Sequence, residues 1–448
     1  MNRFDQLYSS QALVMQNLLD AWVWVCLKIP DYLQAVISPL LEFAFYYPLF
    51  MAYLWMIGAI IYYYHWEKDS RFDPEHPPKL PSYPPISILV PCHNEGRDVE
   101  ETIEFLLQQQ YPHFEIIAID DGSNDDTLEI LLTMAKKDER IRVIHFKENQ
   151  GKAMAMKAGA LFSCNEYLIC IDGDALLAPH ASTWIMHHLL SGPRVAAVTG
   201  NPRIRTRSTL LGKIQVGEFS AIIGLIKRAQ RVYGRLYTVS GVVAGFRKSA
   251  LHRVGYWSND MVTDDIEISW KLQLDHWDVR FEPNALCWIL MPETFRGLWR
   301  QRLRWAQGGV EVLFRFSKRL GLWRSRRMWG VFVEYLTSLV WSYTMIIIIT
   351  LWALGFFIEL PEALEITSLI PSWSGVLLGV TCLLQFALSL IIDSRYEKDI
   401  AKTYYWMVWY PMLYWLINVL TTAVGFVKAI MKKRHARAIW VSPDRGLR

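Results

Sequence analysis

The sequence predicts an α/β domain inserted between transmembrane α-helices, and three observations carry that prediction. Short apolar runs alternate with helix-spaced segments between residues 86 and 199. Four stretches of 22, 24, 27 and 25 residues contain no Asp, Glu, Lys or Arg. The averages of 52% hydrophobic and 20% charged residues therefore describe neither part of the molecule. Length alone, 448 residues, corresponds to about three units. Composition excludes several classes. An aromatic content of 14% rules out a disordered or collagen-like chain. Six Cys without a Cys-x-x-Cys pair rule out a Cys-rich zinc module. A net charge of +4 is too weak to argue for nucleic-acid binding.

The charge-free stretches are 43–64, 335–358, 366–392 and 403–427. Each is long enough to cross the hydrocarbon core, which takes about 20 apolar residues. Tyr62-Tyr63-Tyr64 and Tyr404-Tyr405-Trp406 place aromatic rings near stretch ends, as membrane–water interfaces favour. Residues 13–38 are more polar, with Gln16, Asn17, Asp20, Lys28, Asp31 and Gln34. They read either as a first span facing a partner or as an amphipathic surface helix. No signal-peptide pattern precedes position 30. Lys318, Arg319, Arg324, Arg326 and Arg327 put the start of 335–358 on the cytoplasmic side. Arg395, Lys398 and Lys402 return the chain to that side. One more crossing would carry the basic tail, with Lys432, Lys433, Arg434, Arg437 and Arg445, outside, against the same rule. Either the tail is an exception or a late stretch does not cross. Pro411 breaks 403–427, which allows a re-entrant or interfacial element.

The resulting expectation is a membrane segment over 1–65, a Pro-rich linker over 66–85 and a catalytic domain over 86–295. Amphipathic interfacial helices follow over 296–328, membrane helices over 329–430 and a basic tail over 431–448. Six prolines between Pro74 and Pro85 stiffen the linker. Strands are expected at 86–90, 116–119, 141–146, 167–171 and 195–199, with helices between them. Val99, Ile103, Leu106 and Leu107 have helical spacing, and Ser123 can cap the helix carrying Leu128 and Leu131. Such alternation implies a parallel sheet covered by helices.

Ligands of such sheets sit beyond the carboxyl ends of the strands. There the sequence places Pro91-Cys92-His93-Asn94-Glu95, Asp120-Asp121-Gly122-Ser123 and Asp172-Gly173-Asp174. No Gly-x-Gly-x-x-Gly fingerprint or Walker loop is present to hold a nucleotide. Asp172 and Asp174 can divide that work, one accepting from a ribose hydroxyl and one ligating Mg²⁺ or Mn²⁺ on the diphosphate. Alone, Asp-x-Asp is a common solvated turn; its argument is joint occurrence. Thr263-Asp264-Asp265 precedes a helical run, and Gln301-x-x-Arg304-Trp305 lies in a stretch rich in Arg and Trp. That stretch suits an interfacial helix with snorkelling arginines. Arg304 can also pair with a diphosphate, and Trp305 can offer a sugar a flat face.

Asp-Asp-Gly, Asp-x-Asp, Thr-acidic-Asp and Gln-x-x-Arg-Trp, in this order and flanked by spans, resemble the processive family 2 glycosyltransferases, which include cellulose, hyaluronan and chitin synthases. Within that family, the stretches 200–205, 212–217, 265–272, 287–293 and 440–446 are similar to the bacterial poly-β-1,6-N-acetylglucosamine synthase catalytic subunits. The resemblance covers about residues 40–448. It implies a GT-A (Rossmann-like) glycosyltransferase domain in a multi-pass chain of the bacterial inner membrane, with the catalytic domain cytoplasmic. It also implies that UDP-GlcNAc is polymerised into a β-1,6-linked exopolysaccharide of the biofilm matrix, coupled to export. By resemblance, Pro91, Glu95, Asp121, Lys152 and Asp172 hold the nucleotide and Asp174 ligates Mg²⁺ or Mn²⁺. Asp265 is the general base beside Asp264. Arg304 stabilises the departing diphosphate. Gln301, Trp305, Ser240 and Gly241 face the acceptor. The stretch 240–246 departs from the cellulose-type Phe-Phe-Cys-Gly-Ser pattern, against a cellulose product. A small membrane accessory subunit and cyclic di-GMP regulation are further implications; nucleic acid is not an expected partner. Alternatives are a synthase of chitin, hyaluronan or another β-linked glycan, and, more remotely, an inactive scaffold or transporter.

Overall fold

The computed structural model describes residue 35, residues 37–68, 73–366 and 372–432, and residue 437. Most of the 13–38 stretch, the 440–446 stretch and the rest of the basic tail lie outside the described residues. A first helix, α1 (Ile37–Glu67), leads to β1 (Ile86–Cys92), α2 (Val99–Leu106), β2 (Phe114–Asp121) and α3 (Thr127–Lys137). Then come β3 (Ile141–Phe146), α4 (Lys152–Phe162), β4 (Tyr167–Ile171), the short β5 (Leu176–Leu177), α5 (Ala181–Leu190) and β6 (Val195–Ile204). The second half adds α6 (Leu210–Glu218), α7 (Ile226–Tyr233), β7 (Val243–Arg247), α8 (Lys248–Val254), α9 (Asp264–Leu274) and β8 (Asp278–Ile289). After these come α10 (Phe295–Leu320), α11 (Trp329–Leu354), α12 (Ser372–Asp393), a 3-10 segment (Ile400–Trp409) and α13 (Trp415–Met431).

The eight strands form one sheet in the order β3-β2-β1-β4-β7-β6-β8-β5. The expected parallel arrangement holds for β3, β2, β1 and β4. It fails at β7, which runs antiparallel to β4 and β6, and at β5, antiparallel to β8. The sheet is therefore mixed. Both faces of β1 are covered, because its side chains alternate and every residue is buried. Ile86, Ile88 and Val90 join Val99, Ile103, Leu106 and Trp184 on one side. Leu89 joins Ile117, Ile119, Met156, Leu168, Phe246 and Phe281 on the other. Burying a side chain such as Ile88 stabilises by about 1.5–3 kcal/mol. Ser123 does not cap α3. Its hydroxyl accepts from the Asn94 N–H at 2.9 Å, while Asp125 accepts from the Thr127 N–H at 3.2 Å.

Among the described residues, three helices are long and apolar enough to cross a membrane: Ile37–Glu67, Trp323–Leu354 and Trp373–Asp393. A fourth candidate is a pair, Ile400–Met412 and Trp415–Met431, bent by 54°. Its contacts run along the catalytic domain. A Cβ on Gly217 would collide with Met407, and the Tyr414 hydroxyl donates to Glu218 at 2.9 Å. Gly425 lies against Ala306 and Gln307 of α10. Lys432 donates to the Asp260 carbonyl at 2.6 Å and pairs with Glu311 at 2.8 Å. Arg437 donates to Gln150 at 2.6 Å. Met407, Tyr414, Gly425 and Lys432 thus all touch the catalytic domain or α10.

Four buried charges join this helical layer to the sheet. Arg228 of α7 donates to Glu67 at the end of α1 at 2.7 Å and meets Asp393 at the end of α12 at 3.0 Å. Asp393 also accepts from Arg203 of β6 at 2.8 Å and from Ser220 at 2.6 Å. The Tyr396 hydroxyl donates to Glu67 at 2.8 Å.

Candidate active site

The parallel strands end together, and the turns that follow them are packed on one another. Gly173 sits where only a hydrogen fits comfortably. A Cβ there would meet Cys92 Sγ at 3.1 Å, Glu95 Cγ at 3.2 Å and Pro91 O at 3.3 Å. The Asp172–Asp174 turn is thereby held against the end of β1, and the Thr102 hydroxyl donates to the Gly173 carbonyl at 3.0 Å. Glu95 is buried; its N–H donates to Thr127 Oγ1 at 2.8 Å. The Cys92 thiol is pushed well up by burial, then by the Glu95, Asp120, Asp172 and Asp174 charges around it. Four carboxylates therefore lie within electrostatic reach of that thiol.

Asp121, at the last residue of β2, accepts from the N–H groups of Gln150 at 2.7 Å and Gly151 at 2.8 Å. Burial raises its pKa against those two bonds. Its structural task is to hold the loop that starts α4, where Gly151 has φ 91°. His93 reinforces the loop, with Nδ1 2.9 Å from the Asp121 carbonyl and Nε2 3.0 Å from Asn149 Nδ2. Asp120, beside Asp121, turns instead to His145 at 2.8 Å. Lys152, the first residue of α4, pairs with Asp172 and donates to the Gly241 carbonyl at 3.0 Å. Burial opposes its charge, but Asp172, Asp264 and Asp265 together raise its pKa.

Asp264 and Asp265 open α9. Asp265 accepts from the Ile266 N–H at 2.9 Å, and its Oδ2 lies 3.2 Å from where a Cβ on Gly241 would stand. Burial pushes its pKa up to about 6, Asp264 adds to the rise, and Lys152, the Ile266 N–H and Arg304 oppose it. Nucleotide-side and acceptor-side candidates thus meet at Lys152, Asp172, Gly241 and Asp265. Thr263 is wedged against Gly308 of α10, where any Cβ would collide with it. Asp260 pairs with Arg315, and the Val262 N–H donates to Glu311 at 3.3 Å. The segment before the acidic pair is therefore fixed by α10.

The Gln-x-x-Arg-Trp residues all lie on α10, whose start is capped by Thr294 accepting from the Gly297 N–H at 3.1 Å. Arg304 is exposed and close enough to act on Asp265. Gln301 Nε2 lies 3.6 Å from Met291 Sδ. Trp305 is half-buried: the Arg302 guanidinium stacks 4.4 Å over its ring, and Phe219 lies 6.3 Å away. One indole face is thus occupied by protein. Arg302 is anchored to Glu218 at 2.5 Å.

Two participants escaped the sequence reading. Lys227, buried on α7, donates to Thr199 Oγ1 at 3.1 Å. The same oxygen accepts from the Ser240 N–H at 2.7 Å, so Lys227 underlies the Ser240-Gly241 turn. Burial pushes its pKa down to about 7, partly offset by Asp265. Tyr237, packed near Tyr335 of α11, is the second, pushed well up by burial with Asp265 contributing. Neither lies in a motif; a lysine directly after the apolar run 221–226 looks like the start of an ordinary helix surface.

A divalent metal suits the donors present. Asp172 and Asp174 supply hard carboxylate oxygens at one turn, and Mg²⁺-type ions are held by one or two carboxylates with substrate phosphates completing the shell. Among the described residues, no group of three or more potential ligands forms a closed protein site. Donor set and count fit an ion shared with a diphosphate.

Comparison with known proteins agrees with this geometry. A profile of glycosyl transferase family 2 matches residues 87–255. A poly-beta-1,6-N-acetyl-D-glucosamine synthase of Staphylococcus epidermidis is 40% identical over 410 residues, covering 90% of this chain and 98% of the relative. That of Staphylococcus aureus strain COL is 38% identical over 407 residues, with the same coverage. In structure, the mannosyltransferase PcManGT of Pyrobaculum calidifontis, solved with GDP-Man and Mn²⁺, superposes with a TM-score of 0.60 at 19% identity. The match covers 89% of this chain and 99% of that one.

Proposed function

Because this chain belongs to glycosyl transferase family 2, among the poly-β-1,6-N-acetyl-D-glucosamine synthases, we propose that it polymerises N-acetylglucosamine from UDP-GlcNAc into a β-1,6-linked exopolysaccharide. The observation that carries the reading is the meeting of Lys152, Asp172, Gly241 and Asp265 at the strand ends. The sugar donor is α-linked to UDP, and a single in-line displacement gives a β link. In the proposed step, Asp265 takes the proton of the acceptor 6-hydroxyl as its oxygen bonds to C1. The C1–O bond to the diphosphate breaks, and UDP leaves. One base and stabilisation of the leaving diphosphate suffice; no covalent enzyme intermediate is required. Lys152 and Asp172 orient the nucleoside side. Pro91, Glu95 and Asp121 shape the uridine pocket, Asp121 by setting the 149–151 loop. Arg304 meets the diphosphate. Ser240, Gly241, Gln301 and the free edge of Trp305 position the acceptor. Bound at Asp174, Mg²⁺ or Mn²⁺ would neutralise charge on the diphosphate.

The reading extends to a bacterial inner-membrane location with export of the product. Three helices of spanning length and the acceptor side's packing on α10 and α11 support it. A small membrane accessory subunit and cyclic di-GMP control are carried by the family resemblance alone. The test is product identification. Purified protein is given radiolabelled UDP-GlcNAc, and the polymer is treated with a β-1,6-specific hexosaminidase or with chitinase. Digestion by the first alone supports the reading; digestion by chitinase alone replaces it with a chitin synthase.

A further inference from the structure

Away from the active site, a cavity of about 490 Å³ opens between the catalytic domain and the start of α11. Arg194, Arg235, Arg327, Tyr233, His276 and Asp278 line it. Its charge is one-sided. Arg231 and Arg280 pair with Asp278 at 3.0 and 2.8 Å, so the single acid among those residues is already spent on arginines from outside the cavity. Arg235 is only 7% exposed, yet its Nε has no hydrogen-bond partner, and only Nη1 is anchored, to the Trp277 carbonyl at 2.9 Å. Burial lowers the pKa of Arg235; Asp278 offsets part of that, but Arg327, Arg231 and Arg194 lower it further. Like charges converging on a buried guanidinium repel unless an anion joins them.

We propose that this cavity binds a phosphate-ester anion. Guanidinium forks match phosphate oxygens in pairs, and the free Arg235 Nε supplies one such donor. Position favours a lipid headgroup as the source. Arg327 lies two residues before α11, and the Tyr233 hydroxyl donates to the Leu54 carbonyl of α1. The cavity therefore opens beside two helices of spanning length. Its occupant would also reach the acceptor side. From Arg235 the chain runs to Ser240-Gly241, fixed on the way by Gln273, which accepts from the Leu236 N–H at 3.0 Å and donates to its carbonyl at 2.7 Å. Anchoring Arg235 thus steadies the turn beside Asp265.

The test uses the full chain in nanodiscs and in detergent. Native mass spectrometry after exchange into mixed phosphatidylcholine and phosphatidylglycerol nanodiscs should show retained phosphatidylglycerol. Arg327→Gln, on the exposed rim, should weaken retention about fivefold, as expected for one basic residue near an anionic surface. Arg235→Gln should abolish it. In detergent, inorganic phosphate should raise the unfolding midpoint of the wild type only if the site also takes soluble phosphate. A phosphate response without lipid retention, lost in both variants, keeps the anion site and assigns it a soluble source. Equal lipid retention and equal phosphate response in wild type, Arg327→Gln and Arg194→Gln would overturn the proposal. So would no response of the wild type to either probe.

Discussion

The Lys227 ammonium donates to the Thr199 hydroxyl at 3.1 Å, and that hydroxyl in turn accepts from Ser240. Lys227 has three donors and only one of these bonds, and it is buried on α7. Its depressed pKa of about 7 fixes the sign of its cost. In the unfolded chain the lysine keeps its proton up to about pH 10.4. Between pH 7 and that value the unfolded state binds more protons, so stability rises with pH; below pH 7 the full penalty applies. Lys227→Met should therefore unfold at a higher temperature than wild type at pH 7, with the gap narrowing at pH 9. The same variant should lose turnover, because Ser240-Gly241 loses its support, while the KM for UDP-GlcNAc stays unchanged. Thermal unfolding at the two pH values and initial rates check both halves.

Asp265 is raised to about 6 by burial and by Asp264, so it must lose its proton before it can accept one. Activity should climb with unit slope below about pH 6 and level above it. Neutralising the neighbour in Asp264→Asn removes a raising charge and should move that limb to lower pH. Asp265→Asn should still bind UDP-GlcNAc but lose polymer synthesis by about 10²–10⁴-fold, the usual contribution of a positioned base. Normal turnover by Asp265→Asn would sink the assignment. Rate profiles and calorimetric titration with UDP-GlcNAc read the two quantities separately.

Metal dependence should localise to one carboxylate. Asp172 already faces Lys152, whereas Asp174, two residues on, is buried on the far side of Gly173 from it in sequence. Chelation should stop the wild type, with Mg²⁺ or Mn²⁺ restoring it. Asp174→Ala should bind UDP-GlcNAc equally weakly with and without Mn²⁺. Asp172→Asn should keep the Mn²⁺ effect while weakening binding overall. Isothermal titration separates these outcomes; an Mn²⁺-dependent gain in Asp174→Ala would count against the assignment.

How much could be read from the sequence depended on range. Strands such as Ile86–Cys92 and Tyr167–Ile171 announce themselves, because a buried parallel strand is a short apolar run bounded by turn residues. The antiparallel β7 does not. Val243–Arg247 contains Gly245 packed on Ile185, and its direction follows from which strands flank it. The acidic motifs were visible because each follows a strand. The partnership of Asp121 with the Gln150 and Gly151 amides was not, since about 30 positions separate them. Trp305 was legible as a ring near the site, but the Arg302 stacked on one face was not; an i, i+3 pair on a helix admits that contact without requiring it.

The charges around Arg228 make the last prediction. Glu67, Arg228, Arg203 and Asp393 are almost fully buried, and they tie α1, α7, β6 and α12 at one point. Such a cluster need not outperform an apolar core, since both charges are desolvated. Removing Asp393 is different, because Arg203 then stays buried with no carboxylate partner. Asp393→Asn strands the Arg203 guanidinium while Arg228 keeps Glu67, and should cost about 3–5 kcal/mol. Loss should fall first on the attachment of α1 and α12 to the sheet, which then rests on the apolar contacts of Tyr62, Phe386 and Leu390 with the sheet's two cores. Limited proteolysis in detergent should release an intact catalytic fragment from Asp393→Asn at a temperature where wild type stays whole. The Asp393→Asn, Arg203→Met pair should recover part of the loss, since it removes the stranded guanidinium. Unchanged resistance of the single variant would show that the charges contribute no attachment of α1 and α12 to the catalytic domain.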